Sequence, residues 1–146
     1  MSSSIKIITP KTKLEINTYY KIRFKELREP WGQVPGSERD SIEHECIHRM
    51  IGVDNLFIGV GRLQYNENCQ AQIKYMAIKK EYQRQGFGKI LISDLEQIAK
   101  EKGNSEIILH SREIAINFYK SLDYKIEKET HLLFGNIQHF LMKKYL

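Results

Sequence analysis

Apolar residues follow helical spacing most clearly between Gly86 and Lys102. One face of this segment carries the apolar side chains of Phe87, Ile90, Leu91, Leu95, Ile98 and Ala99. The charged residues Lys89, Asp94, Glu96 and Lys100 lie elsewhere on the segment, and Gly103 follows where glycine commonly ends a helix. The pattern predicts an amphipathic helix over residues 86–102.

Three strand-like stretches precede this helix and are separated by turn-forming residues. They are Ile42 to Val53, Leu56 to Tyr65 and Cys69 to Ile78. The short connections between them predict three consecutive antiparallel strands. Another apolar run, Ser105 to His110, follows the helix, and a strand-helix-strand unit of this length predicts a parallel crossover.

The two ends of the chain add further elements. We expect a strand at Ile5 to Thr9 and a helix at Leu14 to Leu27. Ser111 is placed to cap a later helix whose apolar face consists of Ile114, Ala115, Phe118 and Leu122. The last two predicted strands are Tyr124 to Leu133 and Ile137 to Met142. The predicted fold class is α/β, with a mixed, mostly antiparallel twisted sheet and helices on both faces.

Length and composition indicate one soluble globular domain over residues 1–146. Hydrophobic residues make up 41% and charged residues 28% of the chain, which is unlike disordered or fibrous proteins. No apolar run approaches the roughly 18 residues of a membrane-spanning helix, and the N-terminus contains no apolar block of a secretory signal. We therefore expect a cytoplasmic protein without a membrane partner. Cys46 and Cys69 have no paired spacing and are expected to be reduced and buried.

The net charge of +5 is concentrated at the N-terminus. Residues 1–28 hold seven basic and two acidic side chains, whereas the rest of the chain is balanced. The basic residues after Pro10 in this segment are Lys11, Lys13, Lys21, Arg23, Lys25 and Arg28. They could face the phosphates of a nucleic acid, but a solvated face of one amphipathic helix is the more common arrangement. Nucleic-acid binding is therefore the less favoured interpretation.

Residues His44 to His48 match H-E-x-x-H, a pattern that on a helix places two histidines on one face as zinc ligands. A metallopeptidase needs a long apolar helix at this point. The segment instead runs into Ile51-Gly52-Val53 and β-rich sequence, with no helical third-ligand pattern afterwards. We therefore expect ordinary histidines on a strand and no metal site.

A glycine-rich turn precedes the strongest predicted helix. Gln83-Arg84-Gln85-Gly86-Phe87-Gly88 form a Q-x-x-G-x-G pattern. At the start of a helix, free backbone N–H groups and the positive end of the helix dipole point toward an anion. The two glycines allow a diphosphate to approach closely, and the pattern matches neither the Rossmann fingerprint nor the Walker loop. It predicts a pyrophosphate site of another kind.

A second motif follows about thirty residues later, where Ala115 to Tyr124 reads A-x-x-F-Y-x-x-x-D-Y. Together the two segments resemble the GNAT superfamily of N-acetyltransferases, with its [QR]-x-x-G-x-[GA] and A-x-x-F-Y-x-x-x-G-[FY] motifs. Asp123 replaces the glycine, and aspartate tolerates left-handed backbone angles better than most residues. The resemblance covers residues 75–124 and implies the GNAT acyl-CoA N-acyltransferase fold.

The resemblance implies an acetyl-CoA-dependent N-acetyltransferase in which a primary amine attacks the thioester directly, without acyl-enzyme or metal. It places the pantetheine arm of acetyl-CoA on backbone groups of Met76, Ala77 and Ile78. The residues implied to hold the pyrophosphate are Gln83, Arg84, Gln85, Gly86, Phe87, Gly88 and Lys89. Asn117 is implied to reach the cofactor, and Tyr119 to protonate the departing CoA thiolate as general acid.

Several residues are candidates for the general base and for the acceptor site. An alkyl ammonium has a pKa near 10.4, so its proton must pass to a side chain or to water. The candidate bases are Glu43, Glu45, His48 and His139, of which Glu43 and His139 are preferred. We place acceptor recognition in the segment Glu29 to Asp40, where Trp31 offers a flat apolar surface unless it only packs onto the core. The carboxylates expected to attract the ammonium are Glu29, Glu38, Asp40 and Glu43.

Two other functions stay open at this point. A non-catalytic acetyl-CoA-binding module would keep the pyrophosphate site and show no turnover, and a basic nucleic-acid-binding domain would show steep salt dependence. The sequence does not identify the acceptor, and a homodimer is possible.

Overall fold

The computed structural model describes residues 4–146, which contain seven strands and three helices. The strands are β1 (Ile5–Ile8), β2 (Ile47–Val53), β3 (Leu56–Tyr65), β4 (Gln70–Ile78), β5 (Glu106–Arg112), β6 (Lys125–Leu133) and β7 (Ile137–Tyr145). The helices are α1 (Lys13–Leu27), α2 (Phe87–Glu101) and α3 (Ile116–Lys120). Single 3₁₀ turns lie at Glu29–Trp31, Glu43–Glu45, Lys80–Tyr82 and Glu113–Ala115.

All seven strands form one sheet in the order β1-β2-β3-β4-β5-β7-β6. Every neighbouring pair is antiparallel except β4 and β5, which are parallel and are joined through α2. The predicted mixed, mostly antiparallel sheet is confirmed, and so is the parallel crossover.

The helices cover both faces of this sheet. Ile51 of β2 packs in one apolar cluster with Leu91 and Leu95 of α2. Its neighbour Met50 points to the other face and packs with Tyr19 and Ile22 of α1. The side chains of β2 therefore divide between two cores, as the prediction of helices on both faces requires. Within residues 4–146, none of the helices has the length and apolarity needed to cross a membrane.

Side-chain hydrogen bonds stop β2 from beginning at Ile42, where the strand was predicted to start. Asp40 Oδ1 accepts from the backbone N–H of Ile42 at 3.1 Å, and Glu43 Oε2 accepts from the N–H of Asp40 at 3.0 Å. These carboxylates satisfy backbone groups that a strand would pair with its neighbour. The predicted strand is therefore wrong over its first five residues, and β2 begins at Ile47.

The predicted start and apolar face of α3 are also partly wrong. Ser111 lies in β5, where its hydroxyl donates to the carbonyl of Arg112 at 2.8 Å, so it does not cap the helix. Ile114 and Phe118 are exposed, and Tyr119 is buried in their place. The set Ala115, Tyr119 and Leu122 has the same helical spacing as the predicted set, so periodicity could not choose between them.

Both cysteines are free thiols, as predicted. Cys46 is half-buried, whereas Cys69 is exposed at the turn between β3 and β4, so the predicted burial of Cys69 is wrong.

Candidate active site

The parallel strands β4 and β5 diverge in the middle of the sheet. Ile73 and Leu109 form the last pair in register, yet β4 continues to Ile78 and β5 to Arg112. On its other edge β4 remains paired with β3 as far as Ile78. The divergence leaves a cleft in the sheet, and backbone groups of β4 on the cleft side have no strand partner.

A β-bulge bends β4 where it borders this cleft. Tyr75 and Met76 stand opposite the single residue Gly61, and Tyr75 has a left-handed φ of 54°. A bulge of this kind turns the backbone of the strand and interrupts its regular pairing. Met76, Ala77 and Ile78, for which the motif resemblance implies contact with the pantetheine arm, therefore lie along the cleft edge of β4.

The turn between Ile78 and α2 presents a row of free backbone donors. Arg84 and Gly86 both have left-handed φ angles, 62° and 91°. Within residues 4–146, none of the backbone N–H groups from Arg84 to Lys89 donates to a protein acceptor, and no side chain caps the helix. The first bond of the helix is from Ile90 N to Gly86 O, at 3.2 Å. Consecutive free N–H groups at a helix start form a concave site for an anion.

Two glutamines hold this turn in shape. The side-chain amide of Gln83 donates to Ile78 O at 2.9 Å, and that of Gln85 donates to Glu81 O at 3.1 Å. The glutamine of the motif thus ties the end of β4 to the turn. Its structural contribution is to position the backbone donors.

Gly88 lets α3 pack over the beginning of α2. A Cβ atom at Gly88 would lie 3.1 Å from Cζ of Phe118, which is closer than most such contacts. Asn117 is exposed beside Phe118, and its side chain has no hydrogen-bond partner in the described part of the chain. The two sequence motifs, although thirty residues apart, therefore meet at the start of α2.

Tyr119 is buried where α3 meets the core. It is 8% exposed, and its ring packs edge-on against Phe118 and Tyr124 at centroid distances of 5.0 and 5.7 Å. Burial raises the pKa of Tyr119 to about 12, opposed by the charge of Arg112. The phenol is therefore protonated at neutral pH.

Two fully buried arginines hold the loop on the α1 side of the cleft. Arg23 of α1 and Arg62 of β3 both donate to Oε2 of Glu43, at 2.8 and 2.9 Å. Arg62 also binds Asp40 through two bonds of 2.8 Å, and its hydrogen bonds are the main cause that lowers the pKa of Asp40 to about 2. Sequence reasoning missed this network and wrongly placed Arg23 on a solvated face. A signal was present, because Arg23 lies four residues after Tyr19 on the apolar side of α1.

The acidic residues of the predicted acceptor segment have different environments. Asp40 and Glu43 are engaged by arginines, and Glu38 is buried with an ion pair to Arg39 at 3.3 Å. Glu29 is exposed and has no side-chain partner in residues 4–146. Trp31 is 39% exposed and belongs to neither apolar cluster.

His48 is a structural histidine. Its Nδ1 accepts from the hydroxyl of Tyr19 at 2.7 Å, and its Nε2 donates to Glu43 O at 2.6 Å. Burial lowers its pKa, which keeps the ring neutral as this pattern requires. Because Glu43–Glu45 form a 3₁₀ turn and His48 lies in β2, the H-E-x-x-H sequence does not form the helix that a zinc peptidase needs.

His139 lies on β7 opposite Arg112 at the cleft end of β5. Its ring stacks on His131 at 4.5 Å, and its Nδ1 donates to Ile137 O at 3.0 Å. Burial lowers the pKa of His139, and the charges of His131, Arg112 and Arg28 act in the same direction. Because a carbonyl only accepts, Nδ1 carries the proton and Nε2 keeps a free lone pair.

Comparison with known proteins agrees with this architecture. A sequence model of the acetyltransferase (GNAT) family matches residues 16–124. The Bacillus subtilis (strain 168) protein YyaT, described as uncharacterized, is 36% identical over 107 residues, which cover 73% of this chain and 71% of that protein.

Solved structures share the fold at lower identity. A candidate N-acetyltransferase from Lactobacillus plantarum aligns with a TM-score of 0.86 at 21% identity, covering 98% of this chain and 99% of that one. An aminoglycoside 6'-N-acetyltransferase complexed with coenzyme A aligns with a TM-score of 0.80 at 14% identity, covering 97% and 96%. The match over residues 16–124 includes the cleft, the free donors at the start of α2 and both motifs. The chain belongs to the acetyltransferase (GNAT) family, whose enzymes use acetyl-CoA as co-substrate.

Proposed function

We propose that this protein transfers the acetyl group of acetyl-CoA to a primary amine by direct attack of the amine on the thioester, with residues 1–146 acting as one domain. The observation that carries the proposal is the row of free N–H groups from Arg84 to Lys89 beside the open edge of β4. Acetyl-CoA joins a diphosphate to an amide-containing arm that ends in the thioester. The free N–H groups of the turn can donate to the diphosphate, and the unpaired edge of β4 can form hydrogen bonds with the amides.

The thioester would then lie at the bulge of β4. A backbone N–H of Met76, Ala77 or Ile78 pointing into the cleft would donate to the thioester carbonyl, where negative charge develops during attack. Arg84 and Lys89 are exposed and have no carboxylate partner within residues 4–146, so their charges remain available to the diphosphate. Asn117, whose side-chain amide has no partner in the described residues, lies next to Phe118, whose ring packs over Gly88 at the start of α2.

His139 is better placed than Glu43 to accept the proton of the amine. Both oxygens of Glu43 receive hydrogen bonds, Oε1 from Tyr20 and Oε2 from Arg23, Arg62 and the backbone of Asp40. His139 is neutral because its pKa is lowered, and its Nε2 has no protein partner in the described residues. We therefore assign the base to His139, directly or through water, and a structural role to Glu43.

Tyr119→Phe is expected to lower kcat about tenfold and to leave acetyl-CoA affinity nearly unchanged. A phenol with a pKa of about 12 gives little driving force for full proton transfer to a thiolate of pKa about 8.5. Its contribution is then mainly a hydrogen bond to the departing sulfur, which is smaller than the roughly 10²- to 10⁴-fold effect of full general-acid catalysis. Steady-state kinetics with calorimetric acetyl-CoA binding test this. Wild-type turnover in the folded variant would assign the proton to water.

Trp31→Ala is expected to raise the acceptor KM several-fold. The lost contact between the acceptor and a partly exposed aromatic ring corresponds to about 1 kcal/mol of binding free energy. Because Trp31 is 39% exposed and outside both apolar clusters, the melting temperature should change little. Kinetics at saturating acetyl-CoA and a thermal melt check both expectations. A large fall in melting temperature with an unchanged KM would instead make Trp31 a packing residue.

A panel of primary amines and peptides, assayed for CoA release with a thiol reagent, tests the function. We expect release that depends on the amine and that persists in the presence of a metal chelator. Acetyl-CoA binding without turnover on any amine would instead support a non-catalytic binding module. Salt-sensitive nucleic-acid binding, with no stabilisation of the protein by CoA, would instead support a nucleic-acid-binding domain.

A further inference from the structure

We propose that the acceptor amine also carries an anionic group, a carboxylate or a phosphate, and that Arg28 and Arg112 bind it at the β5 side of the cleft. This inference rests on the acetyltransferase function proposed above and names the class of its acceptor.

The carboxylates expected to attract a cationic acceptor are mostly engaged already. Asp40 and Glu43 accept from Arg62 at 2.8 and 2.9 Å, and Arg23 takes a further bond to Glu43. Glu38 is 6% exposed and also accepts from the N–H of Gly36 at 2.8 Å. Among these acidic positions, only the exposed Glu29 remains free to meet an ammonium group.

Arg28 has a fixed position but no carboxylate partner within residues 4–146. Its Nε donates to Ser37 O and its Nη1 to Leu27 O, both at 3.1 Å. The guanidinium lies 5.4 Å from the ring centre of Tyr75 and 5.3 Å from that of Phe134. Carbonyls and rings orient this cation without neutralising its charge, and Nη2 keeps its donors free.

Arg112 also has no carboxylate partner within residues 4–146. It ends β5 opposite His139, and its side chain makes no ion pair or hydrogen bond with the described residues. Arg28 lies 5.3 Å from the ring centre of Phe134, in the turn between β6 and β7, and Arg112 pairs with His139 near the start of β7. Both guanidiniums therefore lie near the β6–β7 turn, on the same side of the cleft as His139.

An anionic group on the acceptor would remove this charge imbalance. Guanidinium groups bind carboxylate and phosphate through paired, charge-assisted hydrogen bonds, which are stronger than neutral ones. A group held between Arg28 and Arg112 would fix one end of the acceptor while its amine reaches the thioester at the bulge of β4. The diphosphate of acetyl-CoA has its own donors at the start of α2, so the two anions occupy different places.

Matched acceptor pairs test the inference in the intact protein. One arm compares amino acids with their amides, and the other compares ethanolamine phosphate with ethanolamine, so that the two arms separate carboxylate from phosphate. We expect kcat/KM to be about 10- to 100-fold higher for the anionic member of at least one arm, as one or two charge-assisted hydrogen bonds would give. Arg112→Gln should remove most of this preference without changing the KM for acetyl-CoA. Lys102→Gln removes an exposed charge at the far end of α2 and should keep the preference.

A binding measurement separates this inference from the proposed function. The N-acetylated forms of both members of every pair, anionic and neutral, are titrated by calorimetry into wild-type protein and Arg112→Gln. Tighter binding of the anionic member in at least one arm, lost in the variant, supports the anion site. If no amine releases CoA while this binding preference is seen, only the transferase function is contradicted. Equal binding of the anionic and neutral members in both arms, or equal kcat/KM for both members of every pair, overturns the inference.

Discussion

Gly86→Val is expected to weaken acetyl-CoA binding about 100-fold, the loss of roughly two charge-assisted hydrogen bonds to backbone N–H groups. Gly86 has a φ of 91°, which a β-branched residue does not adopt without strain. Valine would move the backbone to a negative φ and turn the neighbouring N–H groups away from the diphosphate. Isothermal titration with acetyl-CoA measures the change.

Gly103→Val provides a matched control at the other end of α2. Gly103 has a φ of 93°, and a Cβ at either glycine would meet no atom within 4 Å. The two substitutions should therefore introduce similar backbone strain and lower the free energy of unfolding by about 1–3 kcal/mol each. Of the two glycines, Gly86 is the one that lies among the free N–H donors. Equal acetyl-CoA affinity in the two variants would show that the turn before α2 does not hold the diphosphate.

Glu43→Ala is expected to lower the free energy of unfolding by about 3–5 kcal/mol, the usual cost of removing one partner from a buried ion pair. Arg23 and Arg62 have fully buried side chains, and both donate to Glu43. After the substitution Arg23 keeps, within residues 4–146, only Glu38 O and the hydroxyl of Tyr19 as acceptors. Urea denaturation at constant pH measures the loss.

Glu127→Ala is the comparison for this prediction. Glu127 is 44% exposed and lies 4.0 Å from Lys143, so its loss should change the free energy of unfolding by about 0–1 kcal/mol. If Glu43→Ala were as mild as Glu127→Ala but abolished turnover, Glu43 would be the catalytic base and His139 would not.

Local signals in the sequence predicted the elements at which we propose that acetyl-CoA binds. The helical spacing after Gly86 and the glycines of the turn depend on residues close in the chain, and both predict a helix start with free donors. The parallel crossover followed from the length of the segment between two apolar runs. These features were confirmed because no distant contact opposes them.

Features set by tertiary contacts were not predictable in the same way. Arg23 and Arg62 are buried because carboxylates of the loop before β2 reach them. The position of Arg23 on the apolar side of α1 indicated its burial, but no local pattern identifies Glu43 as its partner. In α3, two stripes of residues share helical spacing, and only packing against Tyr124 buries Tyr119 in place of Phe118. The pairing of Asp40 and Glu43 was not predictable for the same reason, because the sequence counts carboxylates without showing which of them are bound by arginines.

The central claim is direct acetyl transfer from acetyl-CoA to an amine, and mass spectrometry of a complete reaction with isotopically labelled acetyl-CoA tests it most directly. We predict one labelled acetyl group on the amine for each CoA released, and no label on the protein at any time. Labelled acetate without acetylated amine, or a labelled protein that forms before the product and decays with it, would contradict the claim.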